Sequence, residues 1–444
     1  MAQTYTSRIA APLDDVYGWH EQPGALKRLM PPWMRPHVRQ EAESLRDGTS
    51  VVSLYRLLTW RAQHLPEAFD PPRTFADELV AGFGRTPLRW HHTHQFDNVD
   101  DAESRVTDRL VTNVPVRALR PVFEYRHRQL ADEMAALYRS REWDSGTRSV
   151  GLTGASGLVG SALSALLTSS GHRVVHLVRR EPRSADERRW DPDNPAPGLL
   201  DGLDGLVHLA GAPIFGRFTA GHKARVRDSR VEPTRALAQR AVQSGLTVFV
   251  SAAGVGNYPD AGKGEFAVES DGPGKGFLAD VVNEWEAAAA PAAEAGLRTV
   301  QVRTGIAMSP EGGVLGMLAP AFKLGAGGRL GHGRQYMGWI MLDDLVDVYR
   351  RAVLDATLAG PVNAVAPSPV SNAEFTRVLG RVVKRPTVMH VPRMAPAAVL
   401  GSDGADEFAL ANQQVVPQKL IDAGHVFRYP DLEAGLRHVL GRGQ

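Results

Sequence analysis

The sequence predicts an α/β protein: a doubly wound parallel sheet preceded by a separate α+β layer. Three observations carry that prediction. From Ser149 onward, short β-rich runs alternate with helical ones, the rhythm of βαβ units. Ahead of them, several alternating stretches lead into one long amphipathic helix, the order of an antiparallel sheet closed by a helix. Between the two, residues 141–148 are polar and contain Asp144-Ser145-Gly146, the texture of a linker.

In the first part, Pro12 sits where a first helical turn tolerates proline, and the segment to His20 carries Val16 and Trp19 at helical spacing. Strands are predicted over Ser50–Leu58, Arg73–Val80, Pro87–Phe96 and Ser104–Val114, each bounded by polar or Gly/Pro/Asp-containing turns. A helix from about Val122 to Tyr138 aligns Phe123, Leu130, Met134 and Leu137 along one stripe. Laid across a curved sheet, such a helix leaves an apolar cavity. The run Trp90-His91-His92-Thr93-His94 puts His92 and His94 on one strand face with Trp90 and Phe96. Two imidazoles at this spacing can chelate, but no third ligand has recognisable spacing. The expectation is therefore histidines lining a partly polar cavity, and no metal.

In the second part, strands are predicted at Val150–Thr153, Arg173–Val178, Gly205–Leu209, Thr247–Ala252 and Thr299–Val302. Helices are predicted at Ser161–Ser170, Pro233–Ser244 and Phe277–Ala295, and the tail from about Pro367 reads as mostly helical. Thr153-Gly154-Ala155-Ser156-Gly157-Leu158-Val159-Gly160 follows a strand and opens a helix. Its glycines let the chain turn tightly and approach a pyrophosphate, which the helix N-terminus then holds. Thr153, Gly154, Ser156, Gly157, Leu158 and Gly160 are thus candidate dinucleotide-binding residues. An NAD site usually places an acidic residue at the end of the second strand. Here Arg179 and Arg180 stand there, and guanidinium forks suit a 2′-phosphate, so NADP(H) is favoured over NAD(H). The alternative is an exposed basic loop with Arg183, Arg188 and Arg189.

Composition narrows the classes. Hydrophobic residues make up 43% and charged residues 23%, ordinary for a globular chain. With 51 basic and 49 acidic side chains the net charge is +2, which argues against a dedicated nucleic-acid binder. There is no cysteine, so disulfides, thiolate metal sites and cysteine nucleophiles are excluded. No apolar run is long enough to span a bilayer, and Met1–Tyr5 lacks the character of a signal peptide, so a cytoplasmic protein is expected.

Thr153–Gly160, Leu209-Ala210-Gly211, Asp228-Ser229-Arg230-Val231, Arg303-Thr304-Gly305 and Trp339-Ile340-Met341-Leu342-Asp343-Asp344 resemble extended short-chain dehydrogenases/reductases. Trp190-Asp191-Pro192, Gly276-Phe277-Leu278-Ala279, Trp285-Glu286 and Phe322-Lys323-Leu324-Gly325 resemble the atypical branch labelled "epimerase family protein". Val416-Pro417-Gln418-Lys419-Leu420 and Phe427-Arg428-Tyr429-Pro430 resemble that branch's C-terminal extension. The resemblance runs from Arg148 to about Leu440 and implies a Rossmann-type sheet, with Leu209, Ala210, Gly211, Ser251 and Arg303 also at the cofactor. The first 140 residues or so resemble the helix-grip (SRPBCC) hydrophobic-ligand domain of polyketide cyclases and lipid-transfer proteins. That likeness rests on element order and on Tyr125-Arg126-His127-Arg128-Gln129-Leu130. The domains expected are a helix-grip domain (1–143), a Rossmann domain (148–385) and a helical extension packed on it (386–444).

Short-chain dehydrogenases use a Tyr, a Lys four residues later and a Ser. The resemblance places Phe277, Val281 and Ala253 there, none of which moves protons. Tyr258 is then the nearest phenol, with Ser251, Asn257 and Asp260 as polar neighbours. It reads equally as a catalytic group or as a packing aromatic, because an unperturbed phenol is a poor base at neutral pH. In the glycine-dense loop 325–336, Arg329, Arg334 and Tyr336, with Lys323 before it, are candidate substrate residues; the alternative is a solvated surface loop. His222, Lys223, Arg225, Arg227 and Arg230 read as a solvated helix face.

The leading expectation is an NADP(H)-dependent oxidoreductase or epimerase for a small carbonyl or hydroxyl substrate, with a hydrophobic ligand in the N-terminal domain. A homodimer is compatible with the sequence, which does not fix the oligomeric state. Two alternatives stay open: a non-catalytic NADP(H) sensor, and a cyclase or isomerase using His92, His94 and Asp108 in the N-terminal cavity.

Overall fold

The computed structural model describes residues 2–55, 57–82, 88–259 and 265–443, and the chain divides into two units. The first comprises residues 1–145 with 165–171 and 437–444; the second comprises 146–164 and 172–436.

In the first unit the chain runs β1 (Ala2–Ile9), α1 (Leu13–His20), α2 (Ala25–Leu29), β2 (His37–Gln40), β3 (Thr49–Leu54), β4 (Leu58–His64), β5 (Thr74–Gly82), β6 (Trp90–Asp100), β7 (Glu103–Thr112) and α3 (Val116–Trp143). Among the described residues the strands form one antiparallel sheet in the order β1-β7-β6-β5-β4-β3-β2. Alternation sets its inner face: on β7, Ser104, Val106, Asp108, Leu110 and Thr112 are buried while the residues between them face out or lie at the margin. Helix α3 lays Leu130, Met134 and Leu137 against Ile9, Val16, Trp19, Phe75, Phe96 and Val106. It begins six residues before the expected start and keeps Pro121 inside, because Leu119 and Phe123 join a second apolar cluster with Leu110. The stretch predicted as one strand over Ser50–Leu58 is a hairpin, turned at Tyr55, where φ is 53° and Leu54 pairs with Leu58. The start of the strand predicted at 87 lies outside the described residues.

The second unit opens with β8 (Ser149–Thr153), α4 (Leu158–Ser169), β9 (Arg173–Val178), β10 (Glu187–Arg189), β11 (Gly205–His208), α5 (Ala220–Val242), β12 (Val248–Gly254), α6 (Phe277–Ala288), α7 (Ala290–Glu294) and β13 (Arg298–Thr304). It continues through β14 (Ile306–Met308), α8 (Gly313–Lys323), β15 (Gly328–Leu330), β16 (Tyr336–Met337), β17 (Trp339–Met341), α9 (Leu342–Leu354) and β18 (Gly360–Ala364). The main sheet is parallel throughout, in the order β10-β9-β8-β11-β12-β13-β18. Its strand order reverses at β8, so the ligand crevice of a doubly wound sheet lies beyond the ends of β8 and β11, where Thr153 pairs with His208. Helix α5 starts thirteen residues ahead of the expected helix, capped by Thr219, whose hydroxyl accepts from His222 N at 3.2 Å.

Helix α9 is buried along its whole length, acidic and basic residues included. Asp344 accepts backbone N–H bonds from Arg428 and Tyr429 at 2.6 and 3.1 Å, and burial pushes its carboxyl up to about 7. The tail does not stay with this unit to its end, because residues 437–444 fall in the first. There His438 donates to Gln129 at 2.9 Å and stacks on Tyr125, with ring centroids 4.4 Å apart. No helix among the described residues is long and apolar enough to cross a membrane.

Candidate functional site

The glycine turn is built by backbone constraints. Gly154 has a φ of 69°, and a side chain there would meet Leu209 and Ala210 backbone atoms at 2.9–3.0 Å. A Cβ on Gly160 would stand 2.2 Å from Gly154 O, so α4 packs against the turn only because that position is bare. Thr153 is fully buried. Its hydroxyl accepts from Leu209 N and Ala210 N at 3.0 and 3.2 Å and bonds His208 Nδ1 at 2.7 Å, tying the ends of β8 and β11 together. Ser156 and Gly157 are exposed at the start of α4, beside the half-buried Leu158. Beyond β11, Leu209, Ala210 and Gly211 form the opposite wall, held by Arg230, which donates to Ala212 O at 2.9 Å.

Arg230 corrects the solvated-face reading: it is buried over the Trp285 ring, and burial pushes its pKa down to about 10. His208 was not singled out from sequence. Burial pushes it down to about 3, so it is neutral, and its buried Nε2 has no hydrogen-bond partner among the described residues. At the end of β9, Arg179 and Arg180 are both exposed but differ in engagement. Arg180 is held by Glu187 through contacts of 2.8 and 2.5 Å, and that pairing pulls the Glu187 carboxyl down to about 2. Among the described residues Arg179 has no ion-pair partner, so it is the freer of the two forks.

Tyr258 sits in a brace. Its hydroxyl donates to Asn363 Oδ1 at 2.7 Å and accepts from Arg303 Nη1 at 2.6 Å, with the guanidinium 5.0 Å from its ring centre. Arg303 is clamped by both oxygens of Glu286 at 2.7 and 2.8 Å, and Asn363 is fixed by Glu269 and Val416. Burial pushes the Tyr258 phenol up to about 12 against the pull of Arg303. A phenol in that state is a poor base at neutral pH, and both sides of its oxygen are engaged. Arg303 is committed to the same brace. Ser251 is buried and bonds Ala252 O, and Asn257 is buried with no partner for its amide oxygen among the described residues. Asp260 lies outside the described residues. Phe277, Val281 and Ala253 bring no proton-transferring group; Phe277 packs edge-on to Phe218 with Lys223 Nζ 5.2 Å from its ring.

Lys323, Arg329, Arg334 and Tyr336 lie on different elements. Lys323 ends α8, Arg329 is exposed on β15, Arg334 is exposed in the following turn, and Tyr336 is half-buried against Phe266.

The first unit contains a cavity of about 850 Å³ between sheet and helix, lined by Trp33, Trp60, Trp90, Phe75 and Phe123 among others. Its polar members include Asp77, His92, His94 and Arg126. Burial pushes His92 down to about 4. Burial also opposes ionisation of Asp108, yet Arg126, His92 and His127 hold it well below the usual carboxylate range.

Residues 150–364 match the NAD dependent epimerase/dehydratase family, and residues 391–439 match a domain of unknown function, DUF1731. Epimerase family protein Mb2239 of Mycobacterium bovis is 40% identical over 296 residues, 66% of this chain and 98% of that protein. The human epimerase family protein SDR39U1 is 33% identical over 292 residues, 65% of this chain and 98% of that one. Among solved structures, a nucleoside-diphosphate sugar epimerase from Corynebacterium glutamicum is 39% identical, with a TM-score of 0.88 over 100% of this chain and 91% of its own. Human SDR39U1 (isoform 2), solved with NADPH, is 30% identical with a TM-score of 0.62 over 66% of this chain and 99% of its own.

Proposed function

Because the chain belongs to the NAD dependent epimerase/dehydratase family, we propose that it is an NADP(H)-dependent oxidoreductase or epimerase-like enzyme acting on a small carbonyl or hydroxyl substrate. The observation that carries this reading is the β8–turn–α4 junction, whose bare positions at Gly154 and Gly160 leave backbone where side chains would stand. That junction fits a dinucleotide: α4 opens beside an exposed rim at Ser156 and Gly157, and the N–H groups of a helix's first turn lack intrahelical acceptors. Leu209, Ala210 and Gly211 would flank the cofactor, and Arg179 would hold a 2′-phosphate, with Arg180 kept beside it by Glu187. The NADPH in the human SDR39U1 structure supports the phosphorylated form.

When bound, the nicotinamide supplies or takes a hydride. The chain's own part is to bind, orient and exclude water. With Phe277, Val281 and Ala253 at the usual positions and Tyr258 braced, the proton comes from water or from the substrate's own groups. Tyr258 then serves as a support for the wall of the pocket. Lys323, Arg329, Arg334 and Tyr336 remain the proposed contacts to an anionic substrate. The N-terminal unit, an antiparallel sheet with a long helix over a cavity, supports the helix-grip reading and a hydrophobic ligand there.

The test is a parallel melting-temperature titration with NADPH, NADP, NADH and NAD, followed by single-turnover oxidation of NADPH with carbonyl compounds. The expected result is a concentration-dependent rise that favours the phosphorylated pair, and turnover with at least one carbonyl class. No shift with any of the four removes the reading. Because Tyr258 is braced, a second reading, a nucleotide sensor, is kept: NADPH would bind stoichiometrically and never be oxidised.

A further inference from the structure

The two histidines that lack a third partner in the sequence acquire one across the sheet. Strand pairing sets Asp77 of β5 directly opposite His92 of β6, and His94 follows two residues on, so all three side chains share one sheet face and line the same cavity. Asp77 Oδ2 lies 3.3 Å from His94 Nε2 and 3.6 Å from His92 Nδ1. The three ligand atoms fall within 4.8 Å of one another. Donors bonded to a tetrahedral zinc-type ion at about 2.0–2.1 Å stand about 3.3–3.4 Å apart, so the spacing already approaches that of a coordination shell.

The far sides of the rings complete the pattern. His92 Nε2 and His94 Nδ1 both approach the same oxygen, Asp108 Oδ1, at 3.0 and 2.9 Å. A carboxylate only accepts, so a ring N–H directed at it leaves the opposite nitrogen bare and facing Asp77. This is the outer-shell arrangement that fixes the tautomer and orientation of ligating histidines. Asp108 is fully buried, and its other oxygen is held by Arg126 Nε at 3.0 Å and His127 Nε2 at 3.1 Å. Arg126 Nη2 also lies 3.1 Å from His94 Nδ1. A guanidinium only donates, so this contact competes with Asp108 for that nitrogen. One arrangement gives His94 an Nε2–H aimed at Asp77; the other gives it a bare Nε2, and a cation between the three ligands selects the second.

We propose that Asp77, His92 and His94 hold one divalent transition-metal ion of the zinc type at the floor of the N-terminal cavity, with Asp108 as the outer-shell carboxylate. Three protein ligands leave a coordination position open to the cavity. The ligand that fits is an apolar molecule with one oxygen donor, a carboxylate, enolate or hydroxyl, that meets the ion while its body lies against Trp60, Trp90 and Phe123.

The test uses the full-length chain without a histidine tag, stripped by chelator and titrated with Co(II), then Zn(II). The expected result is one cobalt per chain with the intense visible bands of four-coordinate cobalt, displaced by zinc. Asp77→Asn and His94→Ala each weaken uptake at least about tenfold, and Asp108→Asn weakens it about 10–100-fold. Far-UV circular dichroism and a cooperative melt establish that each variant is folded. X-ray absorption of the zinc-loaded wild type, expected to report two imidazoles and oxygen donors, decides the matter if a variant does not fold. No stoichiometric uptake by the wild type, uptake unchanged in folded Asp77→Asn, or absorption data without two imidazoles overturns the proposal. Nucleotide binding is a separate measurement, so either site can fail alone.

Discussion

The glycine turn and the cavity floor are built by opposite means. The turn is made of the backbone of eight consecutive residues, Thr153–Gly160, and works where side chains are missing. The floor is made of side chains from β5, β6, β7 and α3, spread over the chain from Asp77 to His127. A backbone site is intolerant of added atoms; a side-chain site is intolerant of lost ones. Different substitutions should therefore break each, and each should survive what breaks the other.

The largest effect is expected in a third place, the Tyr258 brace, which is side-chain-built but lies in the unit that carries the turn. Glu286→Ala strands the mostly buried Arg303 charge and should cost about 3–5 kcal/mol in denaturant unfolding. Chains that remain folded should still discriminate between NADPH and NADH. Next, Gly160→Val forces the turn away from α4 and should cost about 3 kcal/mol, abolishing the nucleotide-dependent rise in melting temperature while cobalt uptake by the N-terminal unit stays unchanged. Loss of both together would erase the distinction between the sites.

The third prediction concerns pH. His208, held neutral by burial with a pKa of about 3 against the ordinary imidazole value of 6.5, gives stability that is full above pH 6.5 and declines as pH falls toward 3. The slope is about 1.4 kcal/mol per pH unit, or about 2 kcal/mol at pH 5. His208→Asn should flatten that limb in melts taken between pH 7 and pH 5; an unchanged limb would mean that the imidazole is charged or exposed.

A smaller effect is expected of Arg179→Ala. It should lower the preference for NADPH over NADH about tenfold, or about 1.4 kcal/mol, in parallel binding titrations. Arg180→Ala should do less, because Glu187 already occupies that fork. The smallest effect on activity is that of Tyr258→Phe, expected to leave single-turnover NADPH oxidation within about twofold while lowering stability by about 1–2 kcal/mol through the unsatisfied Asn363 oxygen. A large loss of turnover with unchanged stability would restore the phenol to the chemistry.

The same contrast explains what could be read in advance. The turn was legible because its residues are contiguous and its strand-before, helix-after context is local. The parallel strands at 173–178 and 205–208 were legible as short β-rich runs between helical ones. Strand β1, with polar residues at most positions, and β10, which is Glu187-Arg188-Arg189, carry too little apolar signal to be read. The brace was half visible: Tyr258, Arg303 and Glu286 each stood out, but nothing in their spacing joins residue 258 to 303 and 363. Asp77 was invisible as a partner of His92, because the pairing depends on the register between β5 and β6, which local spacing does not carry.

One contact bears on how the chain is made. Arg28, Glu133, Gln129 and His438 form a continuous buried hydrogen-bonded row, so the N-terminal unit includes side chains translated far apart in time. Apart from the short stretch 165–171, its early residues end at Ser145, and its late segment begins at Arg437, after almost the whole second unit. At about 5–20 residues per second that gap corresponds to roughly 15–60 s of synthesis. During that interval the Gln129 amide oxygen and the Tyr125 ring await His438, so this unit is completed only after almost all of the second has been made.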